Sequence, residues 1–260
     1  MFHKATVNVA KAAEETGEGN RMVNEDLYAP IREKYQSLQN VLEGEDLQSI
    51  IGLALEVHAM VHPGIASGLV TKTISDYVLD YMLQSNHKEK LVPRMDCEID
   101  LDWAGTDAVP VCWQFWHTYR IEDLVSNILI ADKSQIFNEE WREKIHSPIS
   151  DTGNALKDEE AVSFGKMIDV KALKEYMIEV SKNTREILRS LTIDKLKQKP
   201  TKEQLGRIVD EGGLTSEKQS IWLLDYWGGL TVSGMILTPL TDHHMMHLPP
   251  CLGHLPILEE

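Results

Sequence analysis

Apolar residues recur at three- and four-residue spacing along most of this chain, the period of a helix with one face buried. From Tyr28 to Glu43 the apolar positions Ile31, Tyr35, Leu38 and Leu42 predict a helix that opens near Asn24-Glu25-Asp26 and stops at Gly44. Asp46 is placed to cap a second helix with the stripe Leu47, Ile50, Ile51, Ala54, Val57, His58 and Val61. Pro63-Gly64 closes it. A Gly/Ser loop over 64–73 leads to a shorter helix from Ile74 to Leu83, and the charged stretch 84–108, with Pro93, predicts a long surface connection.

The next strong helix is predicted to begin near Pro110, with Asp107 as its cap and Trp113, His117, Ile121, Leu124 and Ile128 on its core face. A short helix around Trp141, a turn at Ser150-Asp151-Thr152-Gly153-Asn154 and an acidic helix start at Asp158-Glu159-Glu160 follow. A long helix over about 170–191 carries Leu173, Met177, Val180, Thr184, Ile187 and Leu191 on one side. Pro200 and Gly212-Gly213 bound a weaker helix over 202–210. The segment from Trp222 to Trp227 then passes through Gly228-Gly229 into a final helix with Val232, Ile236 and Leu240 aligned. Strand-like alternation is not sustained anywhere and no repeat is present. The expected fold is all-α: a four-helix bundle with extra short helices and long connections. Residues 1–25 read as a flexible leader and 255–260 as a tail, and 26–254 between them are long enough for one large domain or two small ones.

Composition narrows the function classes. Of the 260 residues 42% are hydrophobic and 26% charged, ordinary for a globular chain able to bury a sizeable core. A net charge of −15 disfavours nucleic acid and anionic membranes, both polyanions. Neither a bilayer-length apolar run nor the apolar core of a signal peptide is found. The three cysteines, Cys97, Cys112 and Cys251, form no CxxC pattern, which fits a reducing cytoplasm better than a disulfide framework.

The chemistry concentrates in histidine. His243 and His247 stand four apart, so on a helix their rings project together, while His244 points about 100° away. The series Val232, Ile236, Leu240 runs into the same face and aims the pair at the interior. His117 lies inside the stripe of another long helix. Helices in a bundle approach to about 8–10 Å, a gap that imidazoles from both sides can span to one ion. Three neutral imidazoles with an open fourth position describe a catalytic site for zinc or a similar divalent metal. The spacing alone fits equally a hydrogen-bonded core His117 and a polar helix end. His58 and His62 form a second four-spaced pair, ranked lower because His62 precedes Pro63, a position disfavoured for helix.

Several motifs in order carry a resemblance. Trp116-His117, Arg120, Glu122 and Asp123 form the pattern WHxxRxED; Gln135-Ile136-Phe137, Trp141, Asp151-Thr152-Gly153, Asn183-Thr184-Arg185-Glu186 and His243-x-x-x-His247 follow. Over roughly residues 45–250 the chain resembles the DinB-like family. That resemblance implies a single-domain four-helix bundle, commonly a homodimer, holding a divalent metal through His117, His243 and His247. Characterised members include a mycothiol-dependent isomerase and bacillithiol S-transferases, so it also implies a small-molecule substrate and a low-molecular-weight thiol. The chain departs from the pattern at Leu248-Pro249-Pro250-Cys251, which should end the helix, and its first 45 residues have no counterpart.

A thiol S-transferase, a metal-dependent hydrolase and a non-catalytic metal-binding module all remain open on these residues. Zinc is the first choice of metal, with nickel, manganese or iron as alternatives. Glu122 and Asp123 leave the face of His117 and are expected to cap, to pair with Arg120 or to orient a neighbour; Asp242 is expected beside the site rather than in it. Arg120 could reach an anionic cofactor, although an intrahelical ion pair accounts for it equally simply. Trp113, Trp116, Tyr119, Trp222 and Trp227 could wall a cavity or fill the core, and Cys112 and Cys251 are expected to be inert.

Overall fold

A computed structural model describes residues 18–62, 73–85, 87–94, 108–248 and 251. Expectations for the leader before Glu18, for Pro63-Gly64 and the loop after it, for Asp107 and Pro249-Pro250, and for the tail fall outside these residues. Among the described residues the chain is mostly helical, as its periodicity predicts. The helices are α1 (Glu18–Val41), α2 (Leu47–Val61), α3 (Ile74–Ser85), α4 (Val111–Asp123), α5 (Glu139–Ile145), α6 (Asp158–Met167) and α7 (Val170–Arg189). After them come α8 (Ile193–Leu196), α9 (Lys202–Asp210), α10 (Lys218–Gly229), α11 (Val232–Leu237) and α12 (His243–His247). The predicted Asp46 cap is present: its carboxylate accepts from the Ser49 N–H at 3.2 Å.

Three departures from the prediction matter. The connection 84–108 contains an antiparallel ribbon, β1 (Leu91–Pro93) and β2 (Ala108–Pro110), pairing Val92 with Val109. Three residues per strand are too few for alternation to register. Helix α1 begins at Glu18, earlier than Asn24. Finally, both long site-bearing helices contain π-helical turns: α4 continues as one over Leu124–Ile130, and another over Thr238–Asp242 separates α11 from α12.

The second π turn has a local cause. Pro239 has no N–H to donate and crowds the turn before it. The His243 N–H reaches back five residues to the Thr238 carbonyl. The freed carbonyls find substitute donors, since Thr241 Oγ1 lies 2.8 Å from the oxygens of both Ile236 and Leu237. Tyr35 Oη also donates to Leu237 O at 3.2 Å.

Four segments form a ring of contacts: α2 against α7, α7 against α4, α4 against α12, and the π turn before α12 against α2. Two apolar clusters set their directions. One holds Met60, Val61, Trp113, Trp116, Phe164, Leu173, Met177 and Met245; the other holds Ile50, Ala54, Val57, Leu124, Ile128, Ile187, Met235 and Leu240. Along α2 and the last segment the chain runs from the second cluster to the first, and along α4 and α7 it runs back. Where each segment crosses between clusters its buried side chains turn polar: His58 and His62 on α2, His117 to Asp123 on α4, Ser181 and Thr184 on α7, and Thr241 to His247 on the last. The histidines therefore lie in one polar stratum between two apolar ones.

Candidate metal centre

His117, His243 and His247 meet in this stratum, all buried, with their ligand atoms within 4.8 Å of one another. The ring of His117 is 5.0 Å from that of His243 and 4.9 Å from that of His247, and the latter two are 4.5 Å apart. A tetrahedral zinc with bonds of about 2.0–2.1 Å sets its ligands about 3.3 Å apart, so a small contraction would seat an ion. The group of three that the helical stripes select could thus hold a metal.

The ring orientations are fixed from outside. The Thr152 carbonyl accepts at 2.9 Å from His117 Nδ1, which must therefore carry the proton and leave Nε2 as the donor atom. His247 Nδ1 donates to Gln114 Oε1, and its Nε2 is buried without a hydrogen-bond partner, as is His243 Nδ1. Orphaned buried nitrogens each cost about 1–3 kcal/mol, and coordination would relieve the cost of those that bind. Burial pushes the pKa values of His243 and His247 well below the ordinary histidine value, and neighbouring rings add to this, so both are neutral ligands at neutral pH. Replacing Gln114 with leucine should weaken metal binding by about 10–100-fold through the loosened His247 ring; a competition titration against a chromophoric chelator checks this.

The turn 150–153 serves the same face of α4. Its successive carbonyls accept from Arg120 (to Ser150, 3.0 Å), Trp116 (to Asp151, 2.9 Å), His117 and Trp113 (to Gly153, 3.2 Å). Trp113 stacks on His117 at 4.6 Å, and Arg94 covers Trp113 at 4.7 Å while donating to Asn154 O and Leu156 O. Gly153 adopts φ +76°, and a Cβ there would sit 2.7 Å from Trp113 Nε1. Gly153→Ala is expected to cost about 1–3 kcal/mol in chemical denaturation.

A narrow cleft reaches His117 and His243 of this triad and is lined further by Asn154, Trp222, Tyr226, Trp227 and Pro239. Of the aromatic residues singled out in the sequence, Trp222 and Trp227 wall it, while Trp113, Trp116 and Tyr119 are core. Cys112 and Cys251 are buried free thiols, and burial pushes the Cys112 pKa up to about 12 and raises that of Cys251 too, so neither is poised for reaction. Arg120 is wholly buried and bonded to Asp123 and Tyr176, which makes it part of the frame.

A second group, His58, His62 and Glu122, could also hold a metal. Its ranking below the first pair rested on whether His62 stays aligned with His58. His62 does leave the helix before Pro63, with φ −99° and ψ 141°, yet its ring stacks on His58 at 3.5 Å. Glu122 bridges the two, with Oε1 3.0 Å from His58 Nε2 and Oε2 2.5 Å from His62 Nε2. His244, 100° round from His243 on an ideal helix, turns into this group, with Nε2 2.8 Å from Glu122 Oε2. Burial alone would raise the Glu122 pKa, but the three imidazoles outweigh it and hold it well below the usual carboxylate range. In the sequence Glu122 stood out as part of the WHxxRxED pattern, expected to cap, to pair with Arg120 or to orient a neighbour, and nothing there set it opposite His58 and His62.

Burial lowers the pKa of His58, His62, His243, His244 (to about 4) and His247. The unfolded chain therefore binds protons first as pH falls. Stability of the metal-stripped protein should be complete above the unfolded value of about 6.5 and drain away below it, at up to about 1.4 kcal/mol per pH unit for each ring. Thermal melts from about pH 8 to about pH 5 measure this, and a flat Tm would contradict it.

Neither models of known protein families nor curated proteins yield a match to this chain. Among the described residues no helix is long and apolar enough to cross a membrane.

Proposed function

We propose that this chain is a DinB-like four-helix-bundle protein whose His117, His243 and His247 hold a catalytic divalent cation, zinc first, for transfer of a low-molecular-weight thiol to an electrophilic small molecule. The observation that carries the reading is the meeting of three buried imidazoles from two remote helices, two of which, His117 and His243, line an aromatic cleft. The ring of four packed segments and the WHxxRxED pattern support the family reading, and a homodimer in a reducing cytoplasm is part of the same proposal. Three protein ligands would leave one position open toward the cleft. A cation held there would supply the positive charge that favours the ionised form of a thiol or water.

The chain's own residues supply positioning and exclusion of water. Thr152 and Gln114 hold two rings in the tautomer that offers Nε2. Trp222, Tyr226 and Trp227 present apolar walls to an organic substrate, and Asn154 adds a polar group. Among the residues lining the cleft no carboxylate is present to act as general base, which favours attack by a nucleophile that ionises readily, such as a thiol, over attack by water. Hydrolysis is the second reading. Turnover of monochlorobimane with and without added thiols tests both: thiol-dependent conjugation, lost on metal removal, is expected. Thiol-independent cleavage of activated esters would move the assignment to a hydrolase, and no turnover of either probe would leave a binding module.

A further inference from the structure

We propose that His58, His62 and Glu122, completed by His244, form a second divalent-cation site whose role is structural and which is separate from the His117, His243, His247 centre. Its first support is a hydrogen-bond count. His62 Nδ1 faces the His58 carbonyl at 2.7 Å, and a carbonyl only accepts, so this nitrogen carries the proton of a neutral ring. His62 Nε2 then offers a lone pair, yet it faces a carboxylate oxygen at 2.5 Å. In a neutral ring two acceptors would thus point at each other, so this contact demands positive charge, carried either by a second proton on His62 or by a bound cation. The second support is the carboxylate's isolation. Glu122 is fully buried, and among the described residues no lysine or arginine pairs with it. A buried carboxylate with neither a paired charge nor a metal is strongly penalised. Third, His244 Nε2 approaches Glu122 out of line for a hydrogen bond, a contact that ligation explains better than donation.

Ligand atoms about 3.3 Å apart suit a tetrahedral ion, so the 2.5 and 3.0 Å contacts of His62 and His58 to Glu122 need only a slight opening, while His244, 2.8 Å from Glu122 but outside the group of three, has to swing inward to complete it. Imidazoles with one carboxylate make a borderline donor set, suited to zinc and its neighbours rather than to magnesium or calcium. The two groups differ in access. His58, His62 and Glu122 have no exposed surface, and His244 borders a small cavity that it shares with His247, so ligation by all four would close the second site except on that side; the first has three ligands, and His117 and His243 line the aromatic cleft. Closed four-ligand sites are the structural kind. An ion here would tie α2 to α4 and to α12, with His243 and His244 sending one helix's ligands to two centres.

The test is metal stoichiometry on the full chain, stripped with dipicolinate, reloaded with zinc or cobalt(II) and desalted. Wild type is expected to hold two ions per chain, and His117→Ala, His62→Ala and Glu122→Gln one each, with circular dichroism confirming helix content. Cobalt gives a readout that does not depend on second-site variants folding. Thiocyanate should perturb the visible band of the wild-type open site and leave the band retained by His117→Ala unmoved. A single ion in wild type, no cobalt band in folded His117→Ala, or two ions in both His62→Ala and Glu122→Gln would each overturn the proposal. It stands independently of the reaction: loss of turnover with two ions retained would touch only the functional assignment.

Discussion

Replacing His117 with alanine is expected to weaken metal binding at the cleft-side centre by roughly two to three orders of magnitude and to abolish thiol conjugation. The size follows from the apparent binding energy of structural zinc sites, about 10–16 kcal/mol, shared among four ligands. One imidazole is thus worth roughly 3 kcal/mol, and a three-ligand site has none to spare. The fold should survive. His117 donates to the Thr152 carbonyl and stacks on Trp113, and its loss removes no residue from either apolar cluster. The change also leaves the Thr152 carbonyl without its donor, a smaller loss of about 1–3 kcal/mol. Metal analysis beside monochlorobimane turnover gives both numbers from one preparation. A variant that keeps tight metal and full turnover would remove His117 from the ligand set and the proposed reaction with it.

Arg120→Met is expected to produce the largest loss of stability, about 3–5 kcal/mol, because it strands a buried carboxylate. All five guanidinium hydrogens are used: Nε to Ser150 O, Nη1 to Asp123 Oδ2 and Tyr176 Oη, and Nη2 to Gln135 Oε1 and Ser150 O. Asp123 in turn accepts from the Ile136 and Phe137 N–H groups at 2.8 and 2.9 Å, tying the loop after the first π turn to α4. Methionine keeps the aliphatic stem and removes the charge, so the cost reports the network rather than a cavity. Urea unfolding measures it. The Ser150 bonds also steady the turn that orients His117, so a modest fall in metal affinity should accompany the loss. If Arg120 instead bound an anionic cofactor, Arg120→Met would fold with near wild-type stability and lose only cofactor affinity.

The apolar period in the sequence made the helices legible, since a face that repeats every 3.6 residues has one geometry that buries it. It also selected His117, His243 and His247, because each continues or interrupts an otherwise apolar stripe. The ribbon at 91–93 and 108–110 was not legible, being too short to carry a period. Neither was the break at Thr238–Asp242. Pro239 was visible, but whether a helix bends, stops or widens around a proline depends on what satisfies the freed carbonyls. Here Thr241 and Tyr35 do so, and Tyr35 comes from α1.

Glu122, His62 and His244 mark the boundary most clearly. Local rules placed Glu122 off the face of His117, His62 outside its helix and His244 a quarter-turn from its neighbours, and each statement is right about its own segment. Local rules cannot say what stands opposite. The direction of a side chain follows from backbone geometry within a few residues and is written in the sequence, which is why one histidine triad could be read there. Which directions converge depends on how remote helices pack, and only the tertiary structure decided that two apparently stray histidines meet at a third stray residue, the buried carboxylate of Glu122.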